Sequence, residues 1–145
     1  MAPKQRPGIR VDEGDARRRG ADPSATELVV NLLVTGQLML GRLEELLRPH
    51  GLGNGTFTLL QIVAGDPEPV TPSQIAARSN VPVTTATVTG LLDTCERRGW
   101  IERRRHRTDR RKVIVDITPA GRELLERVDA EVADAERRWT ASIPP

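Results

Sequence analysis

The sequence predicts a mainly helical α+β domain with a helix-turn-helix, a β-hairpin after it, and a long helix at either end. The first observation behind this prediction is a pair of short helical patterns joined by a break at residues 80–82. The second is an alternating apolar strand, 112–117, that follows an arginine-rich turn. The third is size, because 145 residues suffice for one domain, and with only 2% aromatic residues its core must be aliphatic.

Residues 1–23 are rich in Pro, Gly, Arg and Asp and have almost no apolar periodicity, which predicts a flexible arm. Arg17, Arg18 and Arg19 could contact a polyanion, although a solvated tail is the commoner meaning of such a charge run. The initial segment lacks the apolar region of a secretory signal, and a single cysteine suits a reducing compartment. We therefore expect a soluble, cytoplasmic protein.

A first long helix is predicted over residues 24–50, with Ser24 as its N-cap and Glu27 at the capping-box position. Twelve of the twenty residues from Leu28 to Leu47 are apolar, and they form more than one stripe. Since a helix of a small domain normally needs one apolar face, the surplus predicts packing against a partner chain. The most apolar part, Leu28–Leu40, looks too short and too polar to span a bilayer.

The helix-turn-helix is predicted from its start and stop signals. A short helix over 56–65 precedes it, and Thr71 then caps a helix with Gln74 as its capping-box partner. The second helix of the motif ends at Gly99 and has an apolar stripe of Val88, Leu91, Leu92 and Cys95. Threonine hydroxyls and methyls at its exposed start suit base edges and phosphates, although caps and spacers are the plainer interpretation. These threonines are Thr84, Thr85, Thr87 and Thr89.

Two strands are predicted next, Trp100–Arg103 and Lys112–Ile117, with the arginine-rich turn between them. In the second strand, Val113, Val115 and Ile117 alternate with other positions, so we expect these side chains to anchor the hairpin to the core. A helix-turn-helix followed by such a hairpin is a winged helix.

The last helix is predicted from Thr118 and Pro119 through residue 141. One side of it is apolar and the other mixes Glu, Asp and Arg. The apolar side consists of Leu124, Leu125, Val128, Val132, Ala135 and Trp139.

The charge of the chain is concentrated around the hairpin. From Arg97 to Lys112 there are nine Lys and Arg against two acids, a net of +7, so the rest of the chain is about −5. A basic patch on an otherwise acidic protein is typical of nucleic-acid binding, although a solvated charge run or a localisation tract has the same composition. The candidate contacts besides the threonines are Arg97, Arg98, Arg103, Arg104, Arg105, Arg107, Asp109, Arg110, Arg111 and Lys112.

Two linked stretches, "TVTGLLDTCERRGWIER" and "DRRKVIVDITPAG", resemble the multiple-antibiotic-resistance regulator (MarR) family of bacterial transcription factors. The family's wing signature is Asp-x-Arg-x-x-x-Val-x-Leu-Thr-x-x-Gly. The residues of this chain that match it are Asp109, Arg111, Val115, Ile117 in place of Leu, Thr118 and Gly121. The resemblance covers roughly Ser24 to Trp139 and so assigns 24–145 to a MarR-type domain.

The resemblance implies a homodimer built from helices 24–50 and 119–141, with residues 71–118 binding a palindromic double-stranded DNA site. The second helix of the motif would enter the major groove and the wing arginine the minor groove. It further implies a repressor released by a small ligand of the phenolic or aromatic acid type. The ligand-binding residues are unknown, with Arg42 and His50 the only polar candidates on the first helix.

This chain departs from the family pattern in two places. About two extra residues lie in "NVPVTT", which puts the register of the threonines in doubt. Only 27 residues follow Thr118, fewer than two C-terminal helices need, so the last helix is expected to be continuous or truncated.

Other chemistry finds little support in the sequence. His50 and His106 are too far apart in context to form a catalytic triad, no Cys or His pair has metal spacing, and we expect no cofactor and no enzyme. Cys95 shares a stripe with leucines and is expected to be structural rather than reactive. The alternatives to a DNA-binding regulator are a winged-helix module that binds a protein partner and, less favoured, a binder of double-stranded RNA.

Asp109 is the lone acid among the arginines of the turn. Since it lies two residues before Arg111, we expect its carboxylate to hold the guanidinium of Arg111 and aim it toward a narrow, A·T-rich minor groove.

Overall fold

The computed structural model describes residues 9–79, 84–109 and 111–141, apart from the side chain of Thr85, and is mainly helical. Its elements are α1 Glu13–Arg18, α2 Pro23–Leu47, a 3-10 turn Arg48–His50, α3 Asn54–Ala64, α4 Pro72–Arg78, α5 Thr85–Arg97, β1 Ile101–Arg105, β2 Val113–Ile117 and α6 Pro119–Thr140. The predicted order of helices and hairpin is therefore confirmed. The chain divides into two compact units, Met1–Arg42 and Leu43–Pro145.

Helix α1 lies within the segment predicted as a flexible arm, and this part of the prediction is corrected. Asp12 caps the helix by accepting the backbone N–H of Asp15 at 2.7 Å. Ion pairs one turn apart join Arg17 to Glu13 and Arg19 to Asp15. Charge pairs rather than apolar periodicity support this helix, which is why a search for apolar stripes missed it.

Helix α2 begins at Pro23 and not at the predicted cap, Ser24. The carboxylate of Asp22 accepts the backbone N–H of Ala25 at 2.8 Å, so Asp22 is the N-cap and proline occupies the first helical position. The side chain of Asn31 clamps the preceding segment to this helix, because it donates to the carbonyl of Ile9 and accepts its N–H, both at 2.9 Å.

Helix α2 runs unbroken through its glycines and is therefore longer than the apolar stretch Leu28–Leu40 for which no membrane span was predicted. By length and composition alone, the 28-residue helical segment Pro23–His50 could cross a membrane, because an 18-residue window within it has a mean hydropathy of 1.2. Only Leu47 of α2 is buried. Six of its large apolar side chains are at least half exposed: Leu28, Val29, Leu32, Leu33, Leu38 and Leu40.

The second unit has a core of aliphatic side chains, as the composition predicts. It is built from one face each of α3, α5 and α6 together with the inner face of the hairpin. Helix α6 is one continuous element, and its predicted apolar side is buried except for Trp139, which is partly exposed. The predicted break at 80–82 and most of "NVPVTT" lie outside the described residues.

The hairpin is antiparallel, with Ile101 opposite Ile117 and Arg105 opposite Val113. Strand β1 extends two residues beyond its predicted end, which the run of arginines concealed. Val115 and Ile117 are buried, but Val113 is 41% exposed and does not anchor the hairpin as predicted. A third segment joins the sheet at Val70. Its N–H donates to the Val115 carbonyl at 3.0 Å, and its carbonyl accepts the Val115 N–H at 2.7 Å.

Candidate nucleic-acid interface

Helix α5 presents an exposed face at its N-terminal end. Thr84 is its N-cap and accepts the backbone N–H of Thr87 at 3.2 Å, and their hydroxyls lie 3.0 Å apart. Buried Val88, Leu92 and Cys95 hold the opposite face against the core. Of the four predicted threonines, Thr84, Thr87 and Thr89 are exposed, and the side chain of Thr85 is outside the description. Thr84 therefore caps the helix, as the plainer interpretation of the run has it, while contact of these threonines with bases stays a prediction.

The C-terminal end of α5 is fixed by backbone hydrogen bonds around Gly99, as predicted. Its φ of 73° is in the left-handed region, and the N–H groups of Gly99 and Trp100 donate to the carbonyls of Glu96 and Cys95 at 2.8 and 3.0 Å. The guanidinium of Arg98 packs over the ring of Trp100, 5.6 Å from its centroid. Arg98 thus packs against this helix end, and its contact with DNA stays a prediction.

Arg103 lies on the inner face of the hairpin and reaches back to α5. Its Nε donates to Glu96 at 2.9 Å, and its terminal nitrogen contacts Asp93 at 2.6 Å and Glu96 as well. These hydrogen bonds hold the pKa of the Glu96 carboxyl below its ordinary value and raise the pKa of Arg103. Predicted as a phosphate contact, Arg103 is instead placed to tie the wing to the helix, with its charge balanced by two acids.

Arg104 lies on the other face of the hairpin and donates to Asp116 across the strands at 2.6 Å. Among the described residues, no ion pair joins Arg105, Arg107 or Arg111 to an acid. The predicted cations whose side chains are exposed to solvent include Arg97, Arg105, Arg107, Arg111 and Lys112. Arg110 lies outside the described residues.

The turn of the wing is organised by two side chains. Nδ1 of His106 accepts the backbone N–H groups of Thr108 and Asp109 at 3.3 Å each. The carboxylate of Asp109 accepts the backbone N–H of Arg111 at 3.1 Å. The prediction that Asp109 holds the guanidinium of Arg111 is therefore wrong. In this tight turn the Asp109 carboxylate accepts the backbone N–H two residues further along the chain instead.

The base of the wing explains why the signature ends in Thr-x-x-Gly. The hydroxyl of Thr118 donates to the Gly99 carbonyl at 2.6 Å and accepts the N–H of Gly121 at 3.1 Å, so it joins α5, β2 and α6. A Cβ on Gly121 would lie 2.1 Å from the carbonyl oxygen of Trp100. Only glycine permits this close approach of α6 to the end of α5.

Two residues weighed for other chemistry have structural surroundings. Cys95 is fully buried, and its burial raises the pKa of the thiol to about 11, which supports the structural interpretation. His50, one of the two ligand candidates, lies 2.9 Å from the carboxylate of Glu131 on α6. In the described ranges, no group of three or more His, Cys, Asp or Glu residues could hold a metal ion.

Comparison with known proteins agrees with this geometry. The family model described as "MarR family" matches residues 50–112. The repressor YetL of Bacillus subtilis is 36% identical over 72% of this chain and 62% of its own. The regulator PecS of Dickeya dadantii is 31% identical over 76% of this chain and 67% of its own. The chain thus spans less than two thirds of the length of YetL.

Solved structures agree in fold. CouR of Rhodococcus jostii, solved with p-coumaroyl-CoA, superposes with a TM-score of 0.69 at 29% identity, covering 78% of each chain. CouR bound to a 23-mer DNA duplex gives a TM-score of 0.73 at 25% identity, covering 93% of this chain and 88% of that one. Motif, fold and relatives coincide, and the chain belongs to the MarR family.

Proposed function

We propose that this protein is a cytoplasmic, homodimeric transcriptional repressor that binds a palindromic site in double-stranded DNA. The observation that carries the proposal is the division of the hairpin's arginines. Arg103 is balanced by acids and joins the wing to α5, while Arg105, Arg107 and Arg111 are exposed. A helix with an exposed N-terminal face beside a rigidly attached, basic hairpin is the arrangement by which winged helices read DNA.

Each element has a groove in this proposal. The exposed start of α5, with Thr87 and Thr89, fits the major groove, where hydroxyl and methyl groups distinguish bases. The wing tip, with Arg111, fits the minor groove, whose negative potential in A·T-rich stretches attracts arginine. The clamp at Arg103 fixes the spacing between the two.

The second subunit is a further copy of this chain. Six large apolar side chains of α2 are at least half exposed, and exposed apolar surface of this kind marks interaction sites. A two-fold symmetric dimer presents two winged helices to two half-sites, which is why we propose a palindromic operator.

An effector of the phenolic or aromatic acid type is part of the proposal. Its support is that CouR, a repressor of the same fold, was solved with p-coumaroyl-CoA. YetL is likewise a repressor. Binding of such a ligand to the dimer would favour a conformation that no longer fits both half-sites.

A mobility-shift assay tests the proposal with the region upstream of the protein's own gene. We expect a discrete complex that survives an excess of unrelated duplex and is lost when an inverted repeat in that region is scrambled. A complex that unrelated duplex competes equally, or no complex at all, would favour the protein-interaction module instead.

A further inference from the structure

Helix α4, the first helix of the helix-turn-helix, has little apolar packing of its own. Of its residues Pro72–Arg78, only Ile75 is fully buried. Its N-terminal end is nevertheless fixed, because Thr71 caps it and the preceding Val70 pairs with the hairpin. The opposite end, from which the chain continues to α5, has no fully buried side chain among residues 76–79. A polar contact is therefore needed to hold it.

An ion pair between Asp66 and Arg78 provides that contact. Asp66 directly follows Gly65, the C-cap of α3, whose N–H donates to the Gln61 carbonyl at 2.9 Å. One carboxylate oxygen of Asp66 accepts the backbone N–H of Glu68 at 3.3 Å, and the other accepts the guanidinium of Arg78. The carboxylate of Asp66 thus connects the end of α4 to the end of α3.

The surroundings of this ion pair differ from those of an ordinary surface pair. The side chain of Asp66 is only 16% exposed, and that of Arg78 is 48% exposed. The hydrogen bond from Arg78 holds the pKa of the Asp66 carboxyl below its ordinary value. Because the guanidinium is already paired, it gains little from a phosphate, for which the pair would first have to break. Arg78 is therefore better suited to holding α4 than to contacting DNA.

We propose that Asp66 is a positioning residue for operator recognition, because it holds Arg78 and so fixes the end of α4. Only five residues, 79–83, separate Arg78 from Thr84, the N-cap of α5. A displaced α4 end therefore displaces the start of α5, the surface that enters the major groove in the proposed function on which this inference rests. Bases are read only in the correct register, whereas binding to unrelated DNA needs only cations near phosphates. Loss of the ion pair should thus reduce the preference for the operator.

The variant Asp66→Asn tests this in the full-length protein, because it breaks the ion pair and yet adds net positive charge. We expect its affinity for a duplex carrying the upstream inverted repeat to fall about tenfold, while its affinity for unrelated duplex holds or rises. Arg78→Gln should lower the operator affinity alike, and the double variant should be no weaker than either, because both act through one contact. Glu68→Gln makes the same change of charge at an exposed side chain and should leave the operator affinity unchanged.

Amide hydrogen exchange without DNA distinguishes failure of this inference from failure of the proposed function. The N–H groups of Ser79 and Val88 are hydrogen-bonded at the end of α4 and the start of α5. In Asp66→Asn we expect both to exchange about tenfold faster, with Leu60 in α3 unchanged. If Asp66→Asn does not unfold cooperatively near the wild-type temperature, Arg78→Gln takes its place.

Two results would overturn the inference. One is unchanged exchange at both amides in a folded variant. The other is equal loss of operator and unrelated duplex in Arg78→Gln with tighter binding of both in Asp66→Asn, which would show that Arg78 contacts phosphate. If exchange changes as expected but the wild-type protein binds no operator, the proposed function fails while the connection between α3 and α4 stands.

Discussion

Arginines that look equivalent in the sequence differ in their surroundings at the wing. The side chain of Arg103 is only 25% exposed and touches two acids, whereas Arg111 is exposed and its backbone, not its guanidinium, is held by Asp109. A charge that is already paired gains little from a phosphate, because the pair must be broken first. Exposure and partners, rather than residue type, decide which arginines are available to DNA.

The first prediction concerns Arg111. We expect Arg111→Ala to weaken operator binding by about 1–3 kcal/mol, because it removes a contact in the minor groove. The melting temperature should hardly change, since the side chain is exposed. Arg127→Ala removes the same charge from the exposed side of α6 and serves as the control. Fluorescence anisotropy with the operator duplex measures both, and an equal loss in the two variants would contradict a specific role.

The second prediction separates the charge of Asp109 from its hydrogen bond. Asp109→Ala loses the bond to the Arg111 N–H and should weaken operator binding, even though it adds net positive charge to the wing. Asp109→Asn keeps a carbonyl acceptor and removes the charge, so it should bind at least as tightly as the wild type. If Asp109→Ala binds the operator more tightly than wild type, the turn-forming role is wrong and the wing acts as a charge patch.

The third prediction tests the close approach at Gly121. A Cβ there would lie 2.1 Å from the Trp100 carbonyl oxygen, so Gly121→Ala must push α6 away from the end of α5. We expect the free energy of unfolding in urea to fall by about 1–3 kcal/mol, the usual cost of overpacking. Gly90→Ala in α5 is the matched control, since open space surrounds it, and it should raise stability by about 0.5–1 kcal/mol. Equal effects would show that the approach is not tight.

At the scale of elements, local signals were reliable where one residue type decides the conformation. The capping box of Thr71 and Gln74 is present, with the Thr71 N–H donating to the Gln74 side chain at 2.8 Å. The stop at Gly99 is present too, because the left-handed region favours glycine. The predicted start of α2 was wrong because Asp22 and Ser24 are both good N-cap residues, and the sequence alone does not rank them.

The site was harder to predict than the fold because it depends on contacts between elements. Nothing in the sequence separates Arg103 from Arg105, yet in the structure it is Arg103 that contacts Asp93 and Glu96 on α5. The pairing of Val70 with Val115 was missed for the same reason, since a single bridge leaves no alternating pattern. Residues whose roles come from the family signature, Thr118 and Gly121, were found without any contact being known.

The fourth prediction concerns the clamp between β1 and α5. Since pairing with Arg103 lowers the pKa of Glu96, its contribution to stability is present above the ordinary glutamate pKa and is lost as pH falls through the folded value. The melting temperature of Arg103→Leu should therefore lie below wild type at pH 7 and approach it as the pH is lowered through the acid range. Arg105→Leu, which removes an exposed cation, should show no such convergence. If the melting temperatures of the two variants change with pH in parallel, the pairing of Arg103 with Glu96 does not stabilise the fold.

At the scale of the whole molecule, the surplus apolar surface of α2 predicts a partner chain. Its large side chains are 50–63% exposed at six positions, and stable dimers bury on the order of 2,000 Å². We expect sedimentation at micromolar concentration to give twice the 16.0 kDa of the chain without detergent. Leu32→Glu should shift the population toward monomer. A stable wild-type monomer, or recovery only with membranes, would refute the dimer.

The last prediction concerns how single substitutions change the salt dependence of operator binding by the whole dimer. Counterions released from phosphates give a slope of log K against log salt near −5 for about six contacts in the dimer. Only exposed cations can contribute, so Arg107→Ala should make the slope shallower by about two, one contact from each subunit. Arg103→Leu should leave the slope unchanged while weakening binding at every salt concentration, because the clamp positions the wing and its charge is already balanced by Asp93 and Glu96. If the two variants change the slope alike, Arg103 contacts phosphate directly, and the division of the arginines on which the proposed function rests is lost.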